Sequence, residues 1–271
     1  MTELVVRRLL VDMEAPIARH WCAGDAFRTA LFNALSMSFP FGEQFFIDSV
    51  RNGFKELEPE QQERFRAEVQ GFVGRGHAPP PAQPVQRAPR QAGAGQHWEP
   101  RAKARLKLME GQDVRHWLGI TAANEHFTAI FAEFLLANTD LLGEQDQRLK
   151  TLWLWHSAEE SEHKTTAFDL YQALGGSHAW RLTWMRRVTV FFLTDVLRQT
   201  ARNLHEDGTL WKWSTRKSGA SFLFGQRGLL RLTYKPWREY FRRDFHPDQQ
   251  ESGASQQWLA ANGDQFVPVR G

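Results

Sequence analysis

Apolar residues recur at spacings of three and four along most of this 271-residue chain, and strand-like alternation is scarce. The pattern predicts a first helix over about 25–52, kinked at Pro40, where proline removes a backbone donor. A second opens at "EPEQQERFRAEVQGFVG", with Pro59 in its first turn, where a missing N–H is harmless. Phe65, Val69 and Phe72 mark its apolar face, and the pattern stops at Arg75. A third helix is predicted over about 113–138 and a fourth over about 146–174, ending at Gly175 and Gly176. A fifth, over about 179–204, carries Trp180, Trp184, Val188, Phe191 and Phe192 on its apolar side. Shorter helical pieces surround "GLLRLTYKPWREYF", and the tail from about His246 reads as polar and irregular. Four long helices with a fifth alongside predict an all-α fold, a four-helix bundle with additional C-terminal helices. The organisation expected is a lead-in over 1–24, the bundle over 25–245 and the tail over 246–271.

The core stripe of the fourth helix changes character at its centre. It runs Leu149, Leu152, Trp153, His156, Glu160, His163, Ala167, Leu170, apolar at both ends and ionisable in the middle. Burying a carboxylate is costly unless a partner or a metal compensates it. Glu160 and His163 form Glu-x-x-His, which puts a carboxylate and an imidazole on one helix face. A buried Glu–His hydrogen bond without metal is the alternative for that pair. On the third helix Glu125 shares a face with Leu118, Ala122, Ala129 and Ala132, small neighbours that leave room opposite it; a glutamate on the helix surface is the alternative. His126 points about 100° away and is expected to be structural or supporting. On the first helix Glu43 lies among Phe39, Phe41, Phe45 and Phe46, either facing water at a break or buried with a partner. Ferritin-like di-metal bundles take one Glu from each of two helices and Glu-x-x-His from each of the other two. Glu43, Glu125 and the pair Glu160 and His163 fill three of those four places, in the right helix order.

Composition adds bounds. The chain is 42% hydrophobic, and 20 Phe with 11 Trp allow a large core. Its net charge of +3 is small. Basic clusters such as "RAKARLK", "MRRV" and "YFRRDF" read as solvated helix faces with counter-charges nearby, and no nucleic-acid partner is expected. Cys22 is the one cysteine, in keeping with a reducing compartment. The first residues lack a signal-peptide pattern, and "VTVFFLTDVL" is about half the length of a membrane span, so a cytoplasmic protein is expected. The fifth helix, with Arg186 and Arg187 beside its aromatic face, could pack on the bundle, cover an apolar substrate channel or touch a membrane surface.

The chain resembles the bacterial family labelled predicted metal-dependent hydrolase. The resemblance rests on "VRRLLVDM", "HWCAGDAFRTALFNALSMSFPFGEQFFIDSVRN", "FRAEVQGFVG", "ITAANEHFTAIFAEFLL" and "LWLWHSAEESEHKTTAFDLYQALGG". It covers most of the chain to about residue 245 and implies a ferritin-like helical fold. It also implies carboxylate and histidine metal ligands, carried over to Glu43, Glu125, Glu160 and His163. In the family the second helix continues into Gln-Glu-x-x-His. Here that place is taken by "RGHAPPPAQPVQRAPRQAGAGQ", residues 75–96, a Pro-, Ala- and Gly-rich block without apolar period. Read one nucleotide out of frame with suitable synonymous codons, the block regains helical periodicity and a Glu-x-x-His. Two compensating frame shifts therefore account for it, and a genuine Pro-rich insertion is the alternative.

An intact site of this type suits a divalent metal, iron first, with manganese or zinc also compatible. Glu43, Glu125, Glu160 and His163 are the expected metal ligands. His156, one turn from Glu160, is expected to orient a ligand or shuttle a proton. Glu159 and Glu162 are expected to face outward or to pair with Lys164 and nearby arginines. The function expected is metal-dependent hydrolysis of a small molecule, with the Phe- and Trp-rich surroundings of Glu43 hinting at an apolar one. A di-iron oxidase or oxygenase is the second reading, and a metal-free helical protein that has lost its site is the third.

Overall fold

The computed structural model describes residues 7–11, 15–75, 97–162, 164–250 and 253–268. These form an all-α structure in which the only sheet among them is one antiparallel pair, β1 (Arg7–Leu9) with β2 (Phe266–Pro268). The helices are α1 (Ala26–Ser36), α2 (Phe39–Lys55), α3 (Pro59–Arg75), α4 (Trp98–Lys107), α5 (Val114–Leu136) and α6 (Gln147–Glu162). They continue with α7 (Thr166–Ala173), α8 (His178–Glu206), α9 (Trp213–Phe224), α10 (Leu229–Glu239) and α11 (Gly253–Ala261). Among the described residues no helix is long and apolar enough to cross a membrane.

The expected first helix is two helices. Asp25 caps α1 by accepting the Arg28 backbone N–H at 2.8 Å. The chain then turns at Met37 and Ser38, where the Ser38 hydroxyl donates to the Leu35 carbonyl at 2.6 Å. Pro40 is therefore the second residue of α2 rather than the site of a kink, and its missing donor costs nothing there. The expected fourth helix also divides, into α6 and α7, with a turn at Lys164 and Thr165. Successive β-branched residues, Thr165 and Thr166, weaken the helix at this point. The Lys164 ammonium turns inward and donates to the Gln250 carbonyl at 2.7 Å. Gly175 follows α7 at φ +73°, a left-handed position that suits glycine, and Ser177 caps α8. The tail from His246 departs from the expected irregular segment. Ala254, Trp258 and Leu259 of α11, with Phe266 of β2, pack against the core, and that burial orders them.

α5 runs through the middle of the molecule and touches α2, α6, α7, α8, α10 and α11. Two glycines permit this. A Cβ at Gly53 of α2 would lie 2.6 Å from Leu118, and one at Gly119 of α5 would lie 2.8 Å from Trp184. The core has two parts. One is aromatic and centres on Phe32, whose ring meets Trp153 edge-on at 4.8 Å and approaches Trp21, Phe131 and Phe222. The other joins α2, α3, α7 and the first halves of α5 and α8 to Tyr240 and Phe245. Each fully buried aromatic contributes about 1.5–3 kcal/mol.

The cluster "RAKARLK" is not simply a solvated face. Arg101 donates from Nε to Oδ1 of Asp195 at 3.1 Å, and Arg105 pairs with Oδ2 of the same carboxylate. Asp195 is fully buried, so this clamp fastens α4 to α8 from inside. The His97 backbone N–H donates to Gln199 Oε1 at 3.0 Å one turn further along α8.

Candidate metal centre

Three ionisable side chains converge where α2 passes α6. Glu43 comes from α2, one turn into the helix that the Met37–Ser38 turn has redirected. His156 and Glu160 come from α6, four residues apart and therefore on one face. His156 Nε2 lies 3.8 Å from Glu160 Oε1, and one ligand atom from each of the three residues lies within 4.8 Å of the other two. That spacing, and a donor set of two carboxylates and one imidazole, fits a single divalent ion bound through oxygen and nitrogen. His156 and Glu160 are buried, and Glu43 is half-buried. The His156 ring is held against the Phe39 ring, with centroids 4.5 Å apart.

The three residues form part of the wall of a cavity of about 880 Å³. That volume lies toward the upper end of the range for small-molecule sites. Its lining is overwhelmingly apolar, with Phe41, Phe45 and Phe46 of α2, Phe127 and Phe131 of α5 and Trp153 of α6. Charged groups on it include the candidate ligands, Arg105 with its partner Asp195, and Arg187. α4 contributes Trp98, whose ring meets Phe41 edge-on at 5.9 Å. Such walls exclude water and raise the effective strength of any charge placed beside them.

The other expected ligands are placed differently. Glu125 is fully buried on α5 but does not belong to the three-residue group. His163 and residues 76–96, which hold nearly all of the block that replaces a Glu-x-x-His, lie outside the described residues. His126 is packed between Tyr240 and Phe245, at 4.8 and 5.4 Å between ring centroids. Burial pushes its imidazole down to about 3, against a hydrogen bond to the Pro236 backbone, so the ring is neutral at ordinary pH. Glu159 does not face outward. It is buried on α6, because this helix is covered on several sides by α5, α11 and the aromatic core. The side chain of Glu162 lies outside the described residues.

Sequence reasoning placed His156 near the centre without making it a ligand. The signal was its four-residue spacing from Glu160 on a shared helix stripe. The cavity itself could not be found from any one helix, because its wall is assembled from α1, α2, α4, α5, α6, α8, α9 and α10.

No curated protein and no solved structure gives a significant match to this chain. A family model does match, over residues 5–251, and its description, predicted metal-dependent hydrolase, agrees with a chain that brings two glutamates and a histidine together. The chain belongs to the family of predicted metal-dependent hydrolases.

Proposed function

We propose that this protein is a metal-dependent hydrolase that holds its ion with Glu43, His156 and Glu160 and receives an apolar small molecule in the adjoining cavity. The observation that carries this reading is the convergence of three ligand atoms within 4.8 Å on an otherwise aromatic wall. A divalent ion there would supply Lewis acidity and a nucleophile at neutral pH. The residues do the rest. Phe39 packs on the His156 ring with centroids 4.5 Å apart, a contact that would help orient the imidazole toward an ion. Glu43 and Glu160 provide the negative charge that offsets a dication. The Phe and Trp lining orients the substrate's apolar part and keeps bulk water away.

In the fuller form of this reading the helices make a ferritin-like cage for two ions, iron being the first choice. Glu125 and His163 then supply further ligands, and His156 either ligates or passes a proton. A second reading, oxidative chemistry on iron and O₂, is favoured by the scarcity of polar groups in the cavity, which suits a hydrocarbon more than a hydrolysable polar group.

Metal per chain, measured by elemental analysis of the full chain purified without added metal, tests the site. The native protein should retain about one ion or more, and His156→Ala and Glu160→Gln should each lose most of it while melting as folded proteins. Unchanged metal content in both variants would overturn the site. Two ions per chain supports the cage, and an O₂-sensitive visible band in the iron-loaded protein would favour the oxidative reading over hydrolysis.

A further inference from the structure

The charge of this chain is unevenly spread. Residues 179–238 hold twelve Lys and Arg against three Asp and Glu, a balance of +9 in a chain whose total is +3. None of the three acids is exposed: Asp195 is buried in its arginine clamp, and Glu206 and Asp207 are half-buried and ion-paired. The exposed charges of α8, α9 and α10 from Ala179 to Arg238 are therefore all basic. Among the described residues Arg186, Arg187, Arg198, Arg231, Lys235 and Arg238 form no ion pair.

The same three helices expose large apolar side chains. Phe191, Leu197, Phe224, Leu230 and Tyr234 are solvent-exposed and also line the cavity, so they form its mouth. At about 100° per residue, each helix puts a mouth residue on one stripe with basic groups. On α8 the stripe is Arg187, Phe191, Arg198 and Arg202; on α9 it is Trp213, Lys217 and Phe224; on α10 it is Leu230, Arg231, Tyr234 and Arg238. Trp211 and Trp213, both mostly exposed, flank Lys212 at the start of α9.

We infer that the outer face of α8–α10 docks on an anionic lipid bilayer, so that the cavity opens toward the membrane. Basic side chains without counter-charges match the negative surface potential of such a bilayer. Exposed Trp, Phe and Leu between them match its interface, where amphipathic rings and apolar side chains insert. A nucleic acid would use the arginines and leave the apolar residues wet, so a lipid surface accounts for both sets. The inference goes beyond the hydrolase reading and does not depend on the metal, because vesicle binding is measured without turnover.

The test is flotation of the full chain with phosphatidylcholine vesicles, with and without phosphatidylglycerol. Binding should require the anionic lipid and weaken between 0.1 M and 1 M salt. The triple variant Arg198→Gln, Arg231→Gln, Arg238→Gln should bind roughly 100-fold more weakly, from about 1 kcal/mol per basic residue. Phe224→Ser with Leu230→Ser, which keeps every charge, should lose about tenfold or more. Both variants should melt as the native protein does, since all five residues are exposed. Absence of binding to anionic vesicles would overturn the inference. So would an apolar variant that binds vesicles like the native chain while the triple variant loses vesicles and DNA alike, since the face would then be a plain polyanion site.

Discussion

Asp195→Asn isolates the clamp between α4 and α8. The carboxylate is 0% exposed and accepts from Arg101 and Arg105, whose side chains are 36% and 30% exposed. Asparagine keeps the shape and one acceptor oxygen, but turns an N–H₂ group toward one guanidinium. One charge-assisted hydrogen bond is lost, worth about 1.5–3 kcal/mol, and the other falls to neutral strength, about 1 kcal/mol. A stranded buried charge would cost more, but both arginines reach solvent and can turn outward, which limits the loss. The net is about 2–3 kcal/mol, or a fall in melting temperature of roughly 4–5 °C for a chain of this length. Urea denaturation of native and variant chains measures it. Because the carboxylate is shielded, the difference should persist at 1 M NaCl, where exposed pairs are screened. Asp140→Asn provides the contrast, since Asp140 pairs with Arg227 at the surface and should cost at most about 1 kcal/mol, fading with salt. A loss below about 0.5 kcal/mol for Asp195→Asn, or one that salt abolishes, would refute the reasoning.

Three further outcomes follow from single positions. Gly119→Ala should destabilise by about 1–2 kcal/mol in a melting experiment, although alanine favours helix, because its Cβ would meet Trp184 at 2.8 Å and Tyr171 at 3.3 Å; Trp184 is held in place by donating from Nε1 to His116 Nδ1 at 3.1 Å, and a stabilised variant would show that it yields freely. Burial pushes the Cys22 thiol up to about 12, so a disulfide reagent at pH 8 should leave the native chain unmodified and titrate one thiol after denaturation. Asp113 caps α5, and the Arg115 guanidinium and backbone N–H bonded to it bring its carboxyl down to about 2; Asp113→Ala should cost about 1 kcal/mol above the unfolded carboxylate range, and the difference should shrink as pH falls through 2, as urea titrations across that range would read.

Helix content and the positions of Glu43, His156 and Glu160, which form the candidate group, could be singled out because both obey local rules. The stripe from Leu149 to Leu170 gave away its ionisable middle, and Glu43 stood out among four phenylalanines. Breaks were harder to read. Apolar periodicity continues through Met37 and through Lys164, so nothing in it marks the turns that separate α1 from α2 and α6 from α7. The counter-charge expected for the arginines of α4 exists, but its burial was not legible because Asp195 lies some 90 residues away. The burial of Glu159 was hidden for a related reason: one helix shows its own faces but not how many neighbours cover them. The ordered tail needed the same missing knowledge, that Trp258 and Phe266 would find a core to lie on.

The pairing of β1 with β2 has a consequence for how the molecule is made. Arg7 faces Pro268 in register, and the Leu10 N–H reaches the Gln265 carbonyl at 2.9 Å, so the first described strand clasps the last. A ribosome adds about 5–20 residues per second, so β1 waits on the order of tens of seconds for its only sheet partner among the described residues. The helices between can assemble during that interval, and the clasp closes over a body already formed. Synthesis thus sets the order of events, and a pair of three-residue strands becomes a latch that closes after the helices between them have been made.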